Sequence, residues 1–162
     1  MEYNGFDRYG KYFEEFQEGD VYKHWPGRTI TEAGNELFCM LTMNHMPLHI
    51  NADYAGKSQH GKILVVGLYV LSIVVGMSVI DTSGKTIAAL DYEEIRHLAP
   101  TYVGDTIYGQ SKVLDKRESR SRTDRGIIHI ETKAFNQRGE EVLSLRRHFL
   151  VPKKEAAQVA SP

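Results

Sequence analysis

The second half of the chain carries its apolar residues at a period of two. The runs Thr86 to Leu98, Thr106 to Leu114, Gly126 to Phe135 and Glu141 to Val151 read as strands, separated by turn material and charge. Alternation is clearest in Ile128-His129-Ile130-Glu131, so one face of that strand should be buried and the other wet. Asn136-Gln137-Arg138-Gly139 is a hairpin signal between the last two runs. Ahead of them, Ile63 to Ile80 contains no charged residue. Gly67, Gly76 and polar Tyr69, Ser72 and Ser78 make it a poor membrane span, and it reads as a helix opening near Gly67, stopping near Ser83-Gly84 and buried on nearly all sides. A long apolar helix followed by antiparallel strands predicts an α+β domain with the sheet wrapped round the helix.

The first half is more broken. An aromatic entry, Tyr12-Phe13 and Phe16, leads through Glu18-Gly19-Asp20 to Val21-Tyr22. Thr29 to Met43 reads as a capped helix with Leu37, Phe38 and Leu41 on its apolar face, the N-cap being Thr31, or Thr29 in a capping box with Glu32. Pro47 keeps Met46 out of the helical region, so that helix should end before it and a polar loop, Asn44 to His49, should follow. A short helical turn is expected over Ala52 to Ala55.

At 162 residues the chain has the size of one domain, taken as 1–152 with a flexible tail at 153–162. A net charge of -1 offers no global attraction to nucleic acid or anionic lipid, and neither partner is expected. Cys39 is the only cysteine and the N-terminus has no signal-peptide pattern, from which a cytoplasmic location is expected. His60, His97, His129 and His148 show no His-Glu-x-x-His spacing, and no metal is expected. Gly-x-Gly-x-x-Gly and Gly-x-Ser-x-Gly motifs are absent from the chain.

Chemistry concentrates at Met43-Asn44-His45-Met46-Pro47-Leu48-His49, followed by Ala55. A Pro-positioned imidazole is a candidate general base. The stretch resembles the signature of the MaoC-like (R)-specific enoyl-CoA hydratases, in which Gly-Asp-x-Asn-Pro-(Leu/Ile/Val)-His precedes a small residue. Pro47, Leu48, His49 and Ala55 match, as do Pro100, Gly104 and Asp105 in the family's Pro-x-x-x-Gly-Asp turn. Met43, Met46 and Asn44 depart from it, with Asn44 standing where the family has its catalytic Asp.

The resemblance implies a hot-dog fold, an even-numbered homo-oligomer such as a homodimer, and reversible hydration of a short or branched enoyl-CoA. The Met-Asn-x-x-Pro-Leu-His variant further resembles motifs associated with dicarboxylic esters of the mesaconyl, itaconyl or methylmalyl type. His49 would then be the base, Asn44 would orient water without titrating, and the Gly67 N–H would hold the thioester oxygen. Arg28 or Arg96 would meet a second carboxylate. Arg120 and Arg122, in a segment with five cations from Lys116 to Arg125, would meet the phosphates of coenzyme A, which enters as part of the substrate with no separate cofactor; the same run reads equally as solvated strand-edge charge that discourages sheet-to-sheet pairing. The alternatives are a hot-dog thioesterase and a non-catalytic acyl-CoA binding protein. Gly104-Asp105 has a plain reading as a tight turn without chemistry.

Overall fold

The computed structural model describes residues 4–157. Five antiparallel strands form one sheet in the order β1-β3-β4-β5-β2, with β1 at Val21–Thr29, β2 at Ala88–His97, β3 at Thr106–Glu118, β4 at Arg125–Phe135 and β5 at Glu141–Pro152. The four later strands fall where the sequence predicts them; one face of each of β3, β4 and β5 packs into the core, whereas every residue of β2 is exposed. Ile128, Ile130, Thr132 and Ala134 of β4 are buried while His129 and Glu131 lie on the outer face. The hairpin between β4 and β5 closes at Gly139, whose φ of +79° suits glycine.

The strand β1 lies where the sequence reading has no strand. Its burial is irregular, with His24 its one buried residue, and Pro26 and Gly27 interrupt it, so neither period nor propensity marks it. It runs to Thr29, which moves the following helix inward: α1 spans Glu32–Thr42, and Thr31 is the N-cap, its hydroxyl accepting from the Gly34 N–H. Two short helices follow, α2 at Pro47–Ile50 and α3 at Ala52–Gly56.

The uncharged run forms α4, Gly67–Ser78. No helix among the described residues is long and apolar enough to cross a membrane. The expectation of burial on nearly all sides does not hold in this chain. Val70, Val74 and Ser78 face the sheet at a spacing of four, while Leu68, Ser72 and Gly76 on the far side are exposed. A five-stranded sheet curves round one flank of a helix only. Gly109 lets α4 approach β3, since a Cβ there would come within 2.8 Å of a Val74 methyl.

The core has two parts. Ile30, Val65, Val70, Val74, Ile107 and Leu145 join α4 to the sheet. Phe13 and Phe16 of the N-terminal entry cover Val113, Ile128, Ile130 and Phe149 at the other end. Part of the expected tail is ordered as a helical turn, α5 at Lys154–Ala157, and 158–162 lie outside the described residues.

Candidate active site

His49 belongs to α2 and not to a loop. Pro47 sits in that helix's first turn, where its missing N–H costs nothing, and the His49 N–H donates to the Met46 carbonyl. The Nδ1 of His49 lies 2.6 Å from the carbonyl oxygen of Leu64. A carbonyl oxygen can only accept, so Nδ1 carries the proton and Nε2 keeps its lone pair. The ring therefore has the tautomer and the fixed orientation that a base requires.

Asn44 follows the end of α1. The left-handed cap of that helix is Met43, with φ of +53°, and the Asn44 N–H donates to the Cys39 carbonyl. Asn44 Oδ1 accepts from the Met46 N–H at 3.2 Å, which fixes the side chain and leaves the amide NH₂ as its free donor.

Gly67 begins α4. The Val66 N–H donates to Asn35 Oδ1, and the Tyr69 and Val70 N–H groups return to the Val66 carbonyl. The first-turn N–H groups of Gly67 and Leu68 are left to face outward, with the partial positive charge of a twelve-residue helix behind them.

The three sequence-predicted residues meet in one cavity of about 300 Å³, with Leu64, Val66, Ala99 and Val142 among its apolar walls. Its volume is at the lower limit for ligand sites and suits a short acyl group. Arg28, Arg96, Arg120 and Arg122 do not line it. Arg28 pairs in register with Ile107 on the β1 edge, and Arg96 lies 3.9 Å from Glu94. Arg120 and Arg122 sit between Glu118 and Arg125, beyond the far ends of β3 and β4, whereas the cavity adjoins the turn that precedes β3.

Two residues of the site escape sequence reasoning. Asn35 is fully buried, accepts from the Val66 N–H at 3.0 Å and donates to the His49 carbonyl at 2.9 Å. One amide thus ties the base-bearing helix to the start of α4. A lone polar residue on the inner face of a helix was the available signal. The other is His97, which lines the cavity with its ring laid over Gly67, where any Cβ would collide with it.

The position of His97 is set by a bulge. Asp91 and Glu93 pair with His148 and Arg146 on the outer face of β5, but beyond Glu93 the register slips. Glu94 takes a φ of +49°, Arg96 then pairs with Ser144, and His97 pairs with buried Leu143. Cross-strand partners share a face, so the slip turns His97 inward and Arg96 outward.

Asp105 locks the turn beneath the cavity. Its Oδ2 accepts from the Tyr102 N–H, its Oδ1 from Gln137 and Arg138, and the adjoining Thr101 carbonyl accepts the Val65 N–H just ahead of α4. Burial opposes its charge, yet these donors outweigh it and hold the carboxyl below its ordinary range. The plain structural reading of Gly104-Asp105 accounts for all of this. Buried Cys39 has its thiol pushed up by burial and by Glu36, which disfavours the thiolate.

A family model described as mesaconyl-CoA hydratase matches residues 4–161. The chain belongs to the mesaconyl-CoA hydratase family. A mesaconyl-CoA hydratase of Haloarcula marismortui is 34% identical over 149 residues, which is 91% of this chain and 42% of that protein. A β-methylmalyl-CoA dehydratase of Chloroflexus aurantiacus is 32% identical over 90% of this chain and 41% of its own length. The chain therefore spans about two fifths of these curated relatives. Among solved structures, a monoamine oxidase regulatory protein of Archaeoglobus fulgius superposes with a TM-score of 0.79 at 31% identity, covering 90% of this chain and 96% of that one. A Mycobacterium tuberculosis protein with a double hot-dog fold superposes at 0.81 over 90% of this chain and 45% of that one; at 22% identity this likeness is one of fold. Membership of the mesaconyl-CoA hydratase family within the MaoC-like hot-dog group agrees with the motif at His49 and with the α+β architecture.

Proposed function

We propose that this chain hydrates a short dicarboxylic enoyl-CoA of the mesaconyl type reversibly, as a cytoplasmic enzyme. The observation that carries the reading is His49, its Nδ1 proton committed to the Leu64 carbonyl and its Nε2 lone pair free, sharing a small apolar cavity with the first N–H groups of α4. In this mechanism Nε2 takes a proton from water as the water oxygen bonds to Cβ. The double-bond electrons move to Cα and onto the thioester oxygen, which the Gly67 and Leu68 N–H groups receive. His49 then returns the proton to Cα. Asn44 serves as a hydrogen-bond donor to the water and takes no proton.

The second carboxylate of such a substrate needs a counter-charge in the cavity. Arg28 and Arg96 lie outside it, and His97 is the lining side chain besides His49 that can become a cation. We assign the distal carboxylate to His97. Coenzyme A would extend beyond the single chain, where Arg120 and Arg122 of another copy are its candidate phosphate partners.

The proposal includes a homodimer. All ten residues of β2 are exposed in the isolated chain although Leu90, Tyr92 and Ile95 are apolar, and β2 is a sheet edge with unpaired backbone groups. Exposed Leu68 of α4 extends the same need for cover. A solution mass of twice 18.4 kDa or a higher even multiple is expected, and a monomer would remove the shared-cavity arrangement.

The test is product analysis with mesaconyl-CoA and crotonyl-CoA. Loss of enone absorbance without release of free thiol supports hydration. Thiol release would make the protein a thioesterase, and tight binding with neither change would make it a carrier.

A further inference from the structure

Outside the cavity, two clusters among the described residues join histidine and carboxylate side chains at hydrogen-bond distance. In the first, Asp81 lies 2.8 Å from His24 Nδ1, His24 Nε2 lies 2.8 Å from Ser111 Oγ, and Ser111 lies 2.8 Å from Thr132. The order is that of a Ser-His-Asp triad, yet Ser111 and Thr132 are fully buried and neither lines a described cavity. It is a polar chain, buried except at its Asp81 end, that satisfies its own members.

The second cluster is different, because its hydrogen bonding is incomplete. His129 of β4 and His148 of β5 are direct register partners on the outer face, and their rings stack with centroids 3.9 Å apart and planes 13° from parallel. Glu93 reaches them from β2, with its Oε1 at 2.8 Å from His129 Nε2. That contact is short but badly aligned, and the buried Nε2 makes no hydrogen bond. Asp91 Oδ1 lies 2.9 Å from His148 Nδ1 and also accepts the His148 N–H. An ionised carboxylate can only accept, so Nδ1 is protonated and Nε2 is the atom His148 has to offer.

From this we infer that Glu93, His129 and His148 form a binding site for a divalent transition-metal ion of the zinc type, with Asp91 orienting His148. One ligand atom from each of the three lies within 4.8 Å of the other two. Tetrahedral zinc with bonds near 2.0–2.1 Å needs ligand atoms about 3.3 Å apart, so the site closes by roughly 1–1.5 Å. Closure takes movement of the half-exposed Glu93 side chain together with a tilt of the two stacked rings, because each imidazole lone pair lies in its own ring plane and the planes are 13° from parallel. Two imidazoles and one carboxylate suit zinc, nickel or copper better than calcium or magnesium. The carboxylate behind His148 is the usual partner of a metal-bound imidazole. Charge permits it as well. Glu93 and Asp91 supply two negative charges, while the neighbouring Arg146 is engaged by Glu131 at 3.4 Å and Glu94 at 3.1 Å. Spacing along the chain carries no sign of such a site, because its ligands come from three strands.

The experiment is calorimetric titration of chelator-treated, full-length protein with Zn²⁺, repeated with Co²⁺ to follow its visible absorption. One ion per chain is expected, with affinity reduced more than tenfold in each of His129→Ala, His148→Ala and Glu93→Gln. Asp91→Asn should weaken binding by about 10- to 100-fold as an orienting partner does. Co²⁺ should give the intense visible bands of four-coordination in the parent and lose them in the histidine variants. His49→Ala and His97→Ala should leave binding unchanged. Absence of binding overturns the inference, and so does binding that survives in the outer-face variants or that is lost in His49→Ala or His97→Ala.

Discussion

Two pairs of imidazoles lie on opposite faces of one sheet, and their surroundings assign them different work. His49 and His97 share a small apolar cavity, His49 being held by a backbone carbonyl that leaves one nitrogen free. His129 and His148 are stacked on the outer face against Glu93 and Asp91. A neutral acceptor fixes a tautomer without adding charge, which suits proton transfer. Carboxylates add negative charge, which suits a cation. Strand β2 serves both faces, since the bulge at Glu94 sends Asp91 and Glu93 outward and His97 inward.

The contrast breaks most directly at His49. The His49→Ala variant should lose 10²- to 10⁴-fold in hydration rate with little change in thermal stability, whereas His148→Ala should stay within a few-fold of the parent. Comparable losses in both would end the division of labour. Next is Asn44→Asp, which adds a titrating carboxylate beside the base. Turnover should change by more than tenfold and the pH–rate profile should gain an ionisation, and an unchanged profile would separate Asn44 from the reacting atoms.

His97 sharpens the comparison by substrate. In His97→Gln the KM for mesaconyl-CoA should rise about tenfold, a loss near 1.4 kcal/mol, while the KM for crotonyl-CoA stays put. Equal effects on both esters would refute a role for His97 toward the distal carboxylate. Asn35→Ala orphans the Val66 N–H and the His49 carbonyl, so denaturant titration should show a loss of about 1–3 kcal/mol, with reduced turnover. A loss of turnover without destabilisation would contradict its clamping role.

The smallest effect concerns acid stability. Asp105 binds protons less readily folded than unfolded, so its contribution is present above the unfolded carboxylate value of about 3.9 and is lost as pH falls through the lower folded value. Asp105→Asn should therefore flatten the decline of stability below about pH 4, and a slope equal to that of the parent would show that the turn does not depend on this charge.

The sequence by itself determined the α+β class, four strands of the sheet, the apolar helix and the stretch that carries Asn44 and His49. These were legible because each rests on a local rule: a period of two, a charge-free run, or a Pro that fixes its own backbone. The exposure of Leu37 and Leu41 was not legible, and it arises because the inner face of α1 is that of Asn35 and Cys39. Nor was β1, whose single buried residue gives no period to read. The tertiary structure alone decided that Asn35 joins two helices, that Arg96 faces away from the cavity, and that His97 faces into it. The physical reason is parity. A side chain's face depends on every register step before it, and one bulged residue with a left-handed backbone reverses that face without leaving a mark in composition or spacing.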